Sequence, residues 1–137
     1  MHVGQAVPGF TVEMTPTFII SSAIATRDYE EVHHDRDIAR ARGSEDLFPN
    51  ILTSNGLALR LVTDWAGPDA VVVSASVRLG LPAYAGEVLA LSGEVRAVEP
   101  RPSHGDGLVT VAVSGRVSTG MHLSGTVTVS LPMGGEA

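Results

Sequence analysis

Four long stretches in the second half of this chain alternate apolar and polar residues, and that period of two restricts the fold more than any other feature. Val71, Val73, Ala75, Val77 and Leu79 share one face, with Ser74, Ser76 and Arg78 on the other. Leu89, Leu91, Val95 and Ala97 alternate with Ser92, Glu94 and Arg96. Val109, Val111, Val113 and Val117 alternate with Thr110, Ser114 and Arg116, and Leu123, Val127, Val129 and Leu131 with Ser124, Thr126, Thr128 and Ser130. Such alternation marks half-buried antiparallel strands with one face on a core. Turn residues separate them: Gly80-Leu81-Pro82, the run from Glu99 to Gly107, and Gly120. Within that run Gly105-Asp106-Gly107 reads as a hairpin turn rather than a phosphate loop, because no helix follows it.

The first half follows a different period. A short strand is expected at Phe10–Glu13, after which Pro16 resets the chain. Thr17–Ser21 fits either an extended segment or the lead into a helix, and Ser22–Arg27 reads as helical. Asp35–Arg42 reads as a second short helix stopped by Gly43. From Ile51 to Trp65 the apolar side chains form a stripe too wide for a surface helix, so a central helix wrapped by sheet is expected, ending at Ala66-Gly67-Pro68. The spacing supports an α+β fold, and 137 residues suit a single domain over positions 1–137.

Composition removes several classes of function. A net charge of −6, without a Lys/Arg cluster, argues against nucleic-acid binding. Cysteine is absent, which excludes disulfides, thiolate nucleophiles and Cys-ligated zinc. No apolar run reaches the roughly 18 residues of a membrane helix. The start, Met1-His2-Val3-Gly4-Gln5, lacks the pattern of a signal peptide, so a cytoplasmic protein that does not engage membrane is expected.

Chemistry concentrates in Ala25–Asp35, where Asp28, two adjacent histidines and further carboxylates interrupt an apolar sequence. Asp28 and His33 are five residues apart, about 140° around one continuous helix, so they meet only if a helix ends between them. They would then converge on one water, with His the natural proton acceptor near neutral pH and Asp able to orient water or return a proton. The plain alternative is that Asp28 caps a short helix and His33 sits on a solvated turn. A metal held by His33, His34 and Asp35 is not expected, because adjacent residues rarely face one ion.

The stretch Asp28-Tyr29-Glu30-Glu31-Val32-His33-His34-Asp35 resembles the motif of MaoC-like enoyl-CoA hydratases. That motif runs Asp, any residue, Asn, Pro, an aliphatic residue, His, any residue, Asp. Asp28, Val32, His33 and Asp35 match; Glu30-Glu31 stands where the family has Asn-Pro, so the turn must be built differently. The order of elements is that of a single hotdog domain. The runs Thr17–Ser21, Ala25–Asp28, Val32–Asp37, Asn50–Thr53 and Val62–Pro68 are similar to the small subunit of actinobacterial heteromeric hydratases acting in sterol side-chain degradation.

This resemblance implies that Asp28 and His33 are the catalytic pair and that the substrate is a steroid acyl-CoA with a shortened side chain. It implies no cofactor. It also implies a larger MaoC-like partner subunit completing the acyl-CoA pocket in a heterotetramer, with a link to a downstream aldolase. Two rival readings share the fold: a dehydratase subunit acting on acyl carrier protein, and a non-catalytic subunit that completes a partner's pocket.

The family carries His-Gly at the start of the central helix, where a backbone N–H meets the thioester oxygen; here the corresponding pair is Asn50-Ile51. A helix N-terminus suits this, since its first N–H groups lack partners. The Ile51 N–H is the expected donor, with the Asn50 side chain as an alternative and helix capping as that residue's plainer role. Trp65 is expected to close the core at the helix end rather than stack on adenine. His104 and His122 are expected in solvated turns. Arg27, Arg36, Arg40 and Arg42 could meet CoA phosphates but more simply face solvent.

Overall fold

The computed structural model describes residues 1–133. Strand β1 (Ala6–Glu13) leads into helix α1 (Pro16–Ala25), then helix α2 (Arg36–Ala41) and the long helix α3 (Ile51–Ala66). Strands β2 (Val71–Leu79), β3 (Val88–Arg101), β4 (Asp106–Val117) and β5 (Gly120–Pro132) complete the described chain. All five strands form one antiparallel sheet in the order β1-β3-β4-β5-β2. The sheet wraps α3, whose Leu57, Ala58, Leu61 and Val62 are buried with Leu89, Val95, Val111, Val127 and Val129 of the strands. This is the hotdog layout, a mixed α+β fold.

Several boundaries depart from the sequence reading, each for a local reason. Helix α1 starts at Pro16 rather than Ser22, because Thr15 caps it by accepting a hydrogen bond from the Phe18 N–H at 3.0 Å. Proline at the first helical position needs no N–H partner and already has helical φ. Strand β1 begins at Ala6, ahead of the expected Phe10. Strand β3 runs on to Arg101, so the break expected from Glu99 contracts to a single 3₁₀ turn at Pro102–His104. His104 is exposed there, as expected. Trp65 is half-buried against the core at the end of α3, where Gly67 ends the helix at φ 91°.

Each of the four strand pairs carries a register shift, and the bulges within β3 and β5 bear on particular side chains. Between Val95 and Ala97 strand β3 gains a residue against β4, after which Val98, not Ala97, packs on the core. In the β4–β5 ladder Gly115 pairs with Leu123 but Arg116 with Met121, so His122 is an extra residue on β5. Both His122 and Leu123 therefore point inward, at 4% and 0% exposure. The solvated turn expected for His122 is incorrect: an inserted residue re-aims its side chain, and alternation cannot reveal it.

Strand β2 also departs from expectation. It lies at a sheet edge, paired only with β5. Residues Val71–Ser76 are exposed, and only Val77 and Leu79 pack on the core.

Close packing between β2 and β5 depends on Gly125, where an added Cβ would fall 2.0 Å from the Ser76 carbonyl oxygen. Gly125→Ala should destabilise the fold by at least about 1–3 kcal/mol through forced strand displacement. Gly56 lies on the exposed side of α3 with open space around it. Gly56→Ala should stabilise by about 0.5–1 kcal/mol. Urea denaturation of the two variants checks both signs.

Candidate active site

Helix α1 ends so as to aim Asp28. After Thr26 caps the helix, Arg27 takes φ 55°, a left-handed conformation unusual outside glycine, and the Asp28 N–H donates back to the Ala23 carbonyl at 2.9 Å. The reversal carries the Asp28 carboxylate off the helix axis. One side-chain oxygen then accepts from the Glu30 N–H at 3.1 Å, closing a local turn. A single 3₁₀ turn at Glu31–His33 follows and brings His33 back.

The Asn-Pro of the family turn is thus replaced by other contacts. Glu30 and Glu31 both pair with Arg42, the second at 3.1 Å. Nε2 of His34 lies 2.7 Å from the Asp28 carbonyl oxygen, tying the two ends of the turn together. Asp35 caps α2, accepting from the Asp37 and Ile38 N–H groups. His34 and Asp35 thus serve the turn, and only His33 turns inward.

Asp28 and His33 converge, with Oδ2 of the carboxylate 3.7 Å from Nε2 of the imidazole. That gap is longer than a direct hydrogen bond and allows both groups to reach one water molecule. Nδ1 of His33 is 2.7 Å from the Phe48 carbonyl oxygen. A carbonyl only accepts, so Nδ1 carries a proton and a neutral His33 presents the lone pair of Nε2 toward Asp28. The Phe48 ring packs edge-on against the imidazole, with centroids 4.9 Å apart, and fixes its plane.

Asn50 caps α3, as its plainer reading has it, and also takes a role that sequence reasoning did not assign. Its side-chain oxygen accepts from the Thr53 N–H at 2.9 Å, capping α3. Its amide nitrogen donates to Asp28 Oδ2 at 3.0 Å and to Thr26 Oγ1 at 2.8 Å. Both ends of the amide are committed within the fold, so the alternative of Asn50 as a direct donor to substrate has no geometric support. The hydrogen bond from Asn50, followed by that from the Glu30 N–H, holds the Asp28 carboxyl below its ordinary range, against burial and with help from His33.

The Ile51 N–H opens α3, and neither it nor the Leu52 N–H has an acceptor among the described residues. Both residues line a cavity of about 580 Å³ together with Asp28, His33, Phe48 and His122. Leu79, Pro82 and Ala83 form much of the remaining wall. Ionisable groups and orphan helix donors therefore meet at an otherwise apolar hollow. The size and composition suit an organic ligand with a few polar atoms. Arg36 and Arg40 turn to Asp46, and Arg42 to the two glutamates, so these three arginines hold the α2 region together.

No family model matches the chain. It is 51% identical over 129 residues to the 3-oxo-4,17-pregnadiene-20-carboxyl-CoA hydratase beta subunit of Mycobacterium tuberculosis, covering 94% of this chain and 95% of that protein. The chain belongs to the MaoC-like hydratase family. Within that family it superposes on a chain of the M. tuberculosis ChsH1–ChsH2 complex with a TM-score of 0.89 and 50% identity, over 95% of this chain and 98% of that one. A MaoC-like dehydratase from Rhodospirillum rubrum has the same fold at only 18% identity, with a TM-score of 0.83 over 99% of this chain and 96% of that one. No described helix of this MaoC-like protein is long and apolar enough to cross a membrane.

The double duty of Asn50 separates stability from site chemistry. Asn50→Ala should cost about 0.5–2 kcal/mol through the lost cap, read by urea denaturation. Asn50→Asp keeps an acceptor for Thr53 but sets a second carboxylate against Asp28. Like charges oppose ionisation, so one of the two carboxyls should titrate above its ordinary value, observable by carbon-13 NMR of the side-chain carboxyls.

Proposed function

We propose that this chain is the catalytic subunit of an enoyl-CoA hydratase that adds water across the α,β-double bond of a steroid acyl-CoA with a shortened side chain. The observation that carries the reading is the Asp28–His33 pair, 3.7 Å apart, facing an apolar cavity at the start of α3. The steroid substrate is supported by the relative's 51% identity over 94% of this chain. A cytoplasmic location fits a thioester substrate and a chain without cysteine.

In the proposed reaction a water lies between Asp28 and His33. Nε2 of His33 removes a proton as the oxygen attacks the β-carbon, and the π electrons move to give a thioester enolate. The Ile51 N–H donates to the enolate oxygen, where an orphan helix donor and the helix dipole both favour negative charge. The imidazolium then returns the proton to the α-carbon, regenerating neutral His33. Asp28, held ionised by Asn50 and Glu30, is better suited to orienting water and balancing the imidazolium than to giving up a proton itself. The chain's own residues supply every step, and no cofactor is invoked.

We also assign a larger MaoC-like partner subunit. Its support is the exposed edge of β2, where Val71, Val72 and Val73 are 61%, 41% and 54% exposed. Beside the cavity, Ile51 and Leu52 are likewise 64% and 55% exposed. A second sheet laid along β2 would satisfy the edge and cover these side chains.

Asp28→Asn and His33→Ala should each lower hydration of a steroid enoyl-CoA by about 10²–10⁴-fold in the assembled complex, followed by loss of absorbance of the conjugated thioester. Near-normal turnover in either variant refutes the assignment. Val73→Lys should weaken assembly with the partner while the chain stays folded, seen as separate peaks by size-exclusion chromatography; undiminished co-elution would rule out β2 as the shared edge.

A further inference from the structure

The cavity holds a third polar side chain that the proposed reaction leaves unused. His122 lines it while only 4% exposed, and Nε2 lies 2.8 Å from Oγ of Ser54, itself 1% exposed. Nδ1 lies 2.7 Å from the Leu81 carbonyl oxygen. That carbonyl fixes the proton on Nδ1, so in neutral His122 Nε2 accepts from the Ser54 hydroxyl and both directions are set. The pair joins three pieces of structure: β5, the segment after β2, and the first turn of α3.

The arrangement is costly. It requires the β5 bulge that turns His122 inward, and it buries an imidazole and a hydroxyl where aliphatic side chains would pack without needing partners. The sheet itself does not need it, since the Gly80 N–H already donates to the His122 carbonyl at 2.7 Å and the Leu81 N–H to Met121 at 3.0 Å. The distinct contribution of the side chain is the link to Ser54. Ser54 sits three residues after Ile51, one turn below the N–H assigned to the enolate oxygen.

We propose that His122 and Ser54 form a positioning pair for the hydration step, holding the first turn of α3 at a fixed distance from the cavity wall and so setting the Ile51 donor against the Asp28–His33 pair. This rests on the hydratase reading above. The pair acts through α3 and takes no proton from substrate. A donor displaced by about 1 Å can cost on the order of 10²-fold in rate, which makes such a tether worth its burial.

The test uses the assembled complex with its partner subunit and a steroid enoyl-CoA. Ser54→Ala removes one oxygen and should lower kcat about 10- to 100-fold with KM little changed, as expected for an interaction that matters in the transition state. Two amide replacements divide the contacts of His122. His122→Gln places an amide near the former Nε2, keeps the link to Ser54 and should retain most of kcat. His122→Asn places its amide near the former Nδ1, keeps only the Leu81 contact and should fall with Ser54→Ala. The double variant, His122→Asn with Ser54→Ala, should be no slower than either single, because both remove the same link.

Unchanged kcat in Ser54→Ala overturns the proposal, as does equal activity of the Gln and Asn variants or a loss confined to KM. Should the His122 variants not assemble, Ser54→Ala alone decides. Wild-type turnover and its loss in Asp28→Asn serve as reference. If these fail, the hydratase reading falls and this proposal with it; if they hold while the Ser54 and His122 variants behave as wild type, only the positioning role is lost.

Discussion

One side-chain amide organises this site. Asn50 is 2% exposed, and its two ends reach into different elements, the oxygen to the first turn of α3 and the nitrogen to the loop after α1. The helix that fills the sheet and the loop that carries the carboxylate are thereby fixed to each other through the two covalent bonds that join the amide oxygen to its nitrogen. Without this bridge, the Asp28 backbone would still be held by Ala23 and His34, but its carboxylate would keep only the Glu30 N–H as a hydrogen-bond donor. With it, the distance from Asp28 to the start of α3 becomes a property of the fold. The carboxylate also gains a neutral donor that favours its charged form without introducing a competing cation.

The apolar surface follows from the same architecture. A five-stranded sheet curved around one helix buries its middle strands and leaves β2 at an edge, so Val71, Val72 and Val73 lack a covering layer. Burying a valine is worth roughly 1.5–3 kcal/mol at full cover, a large return for an association that already satisfies a free strand edge. The uncovered strand runs at its Leu79 end into the wall of the cavity that Asp28 and His33 line. Leu79, Gly80 and His122 sit where the two regions meet.

Much of this was legible beforehand because it follows from period. Alternation in β4 and in most of β5 located the strands and their buried faces, and the apolar stripe from Ile51 to Trp65 located the central helix within a residue of its ends. The separation of Asp28 and His33 ruled out one continuous helix through both; the structure ends α1 at Ala25, ahead of the pair, with Arg27 reversing the chain and a 3₁₀ turn bringing His33 back. What period could not show were interruptions of itself. Bulges at Arg96 and His122 exchange the faces of a strand without any change in composition. The start of α1 was missed although Thr15-Pro16 spells a cap followed by a proline at the first helical position. Asn50 was read as either a donor or a cap; its bond to Asp28 spans 22 residues and leaves no local signature.

The electrostatic division between the two reactive groups is itself a consequence of backbone placement. His33 gives one nitrogen to a backbone carbonyl, which leaves the other as an acceptor, and Asp28 receives two N–H donors, which keep it ionised. A carboxylate and a basic nitrogen lone pair facing each other at 3.7 Å repel, and a shared proton donor between them relieves that repulsion. Water is the smallest molecule able to donate to both. The pair is therefore preorganised for water before any thioester enters, and the imidazolium formed by proton transfer finds its counter-charge already in place. Binding energy from the rest of the substrate can then be spent on orienting the alkene rather than on assembling the acid–base pair.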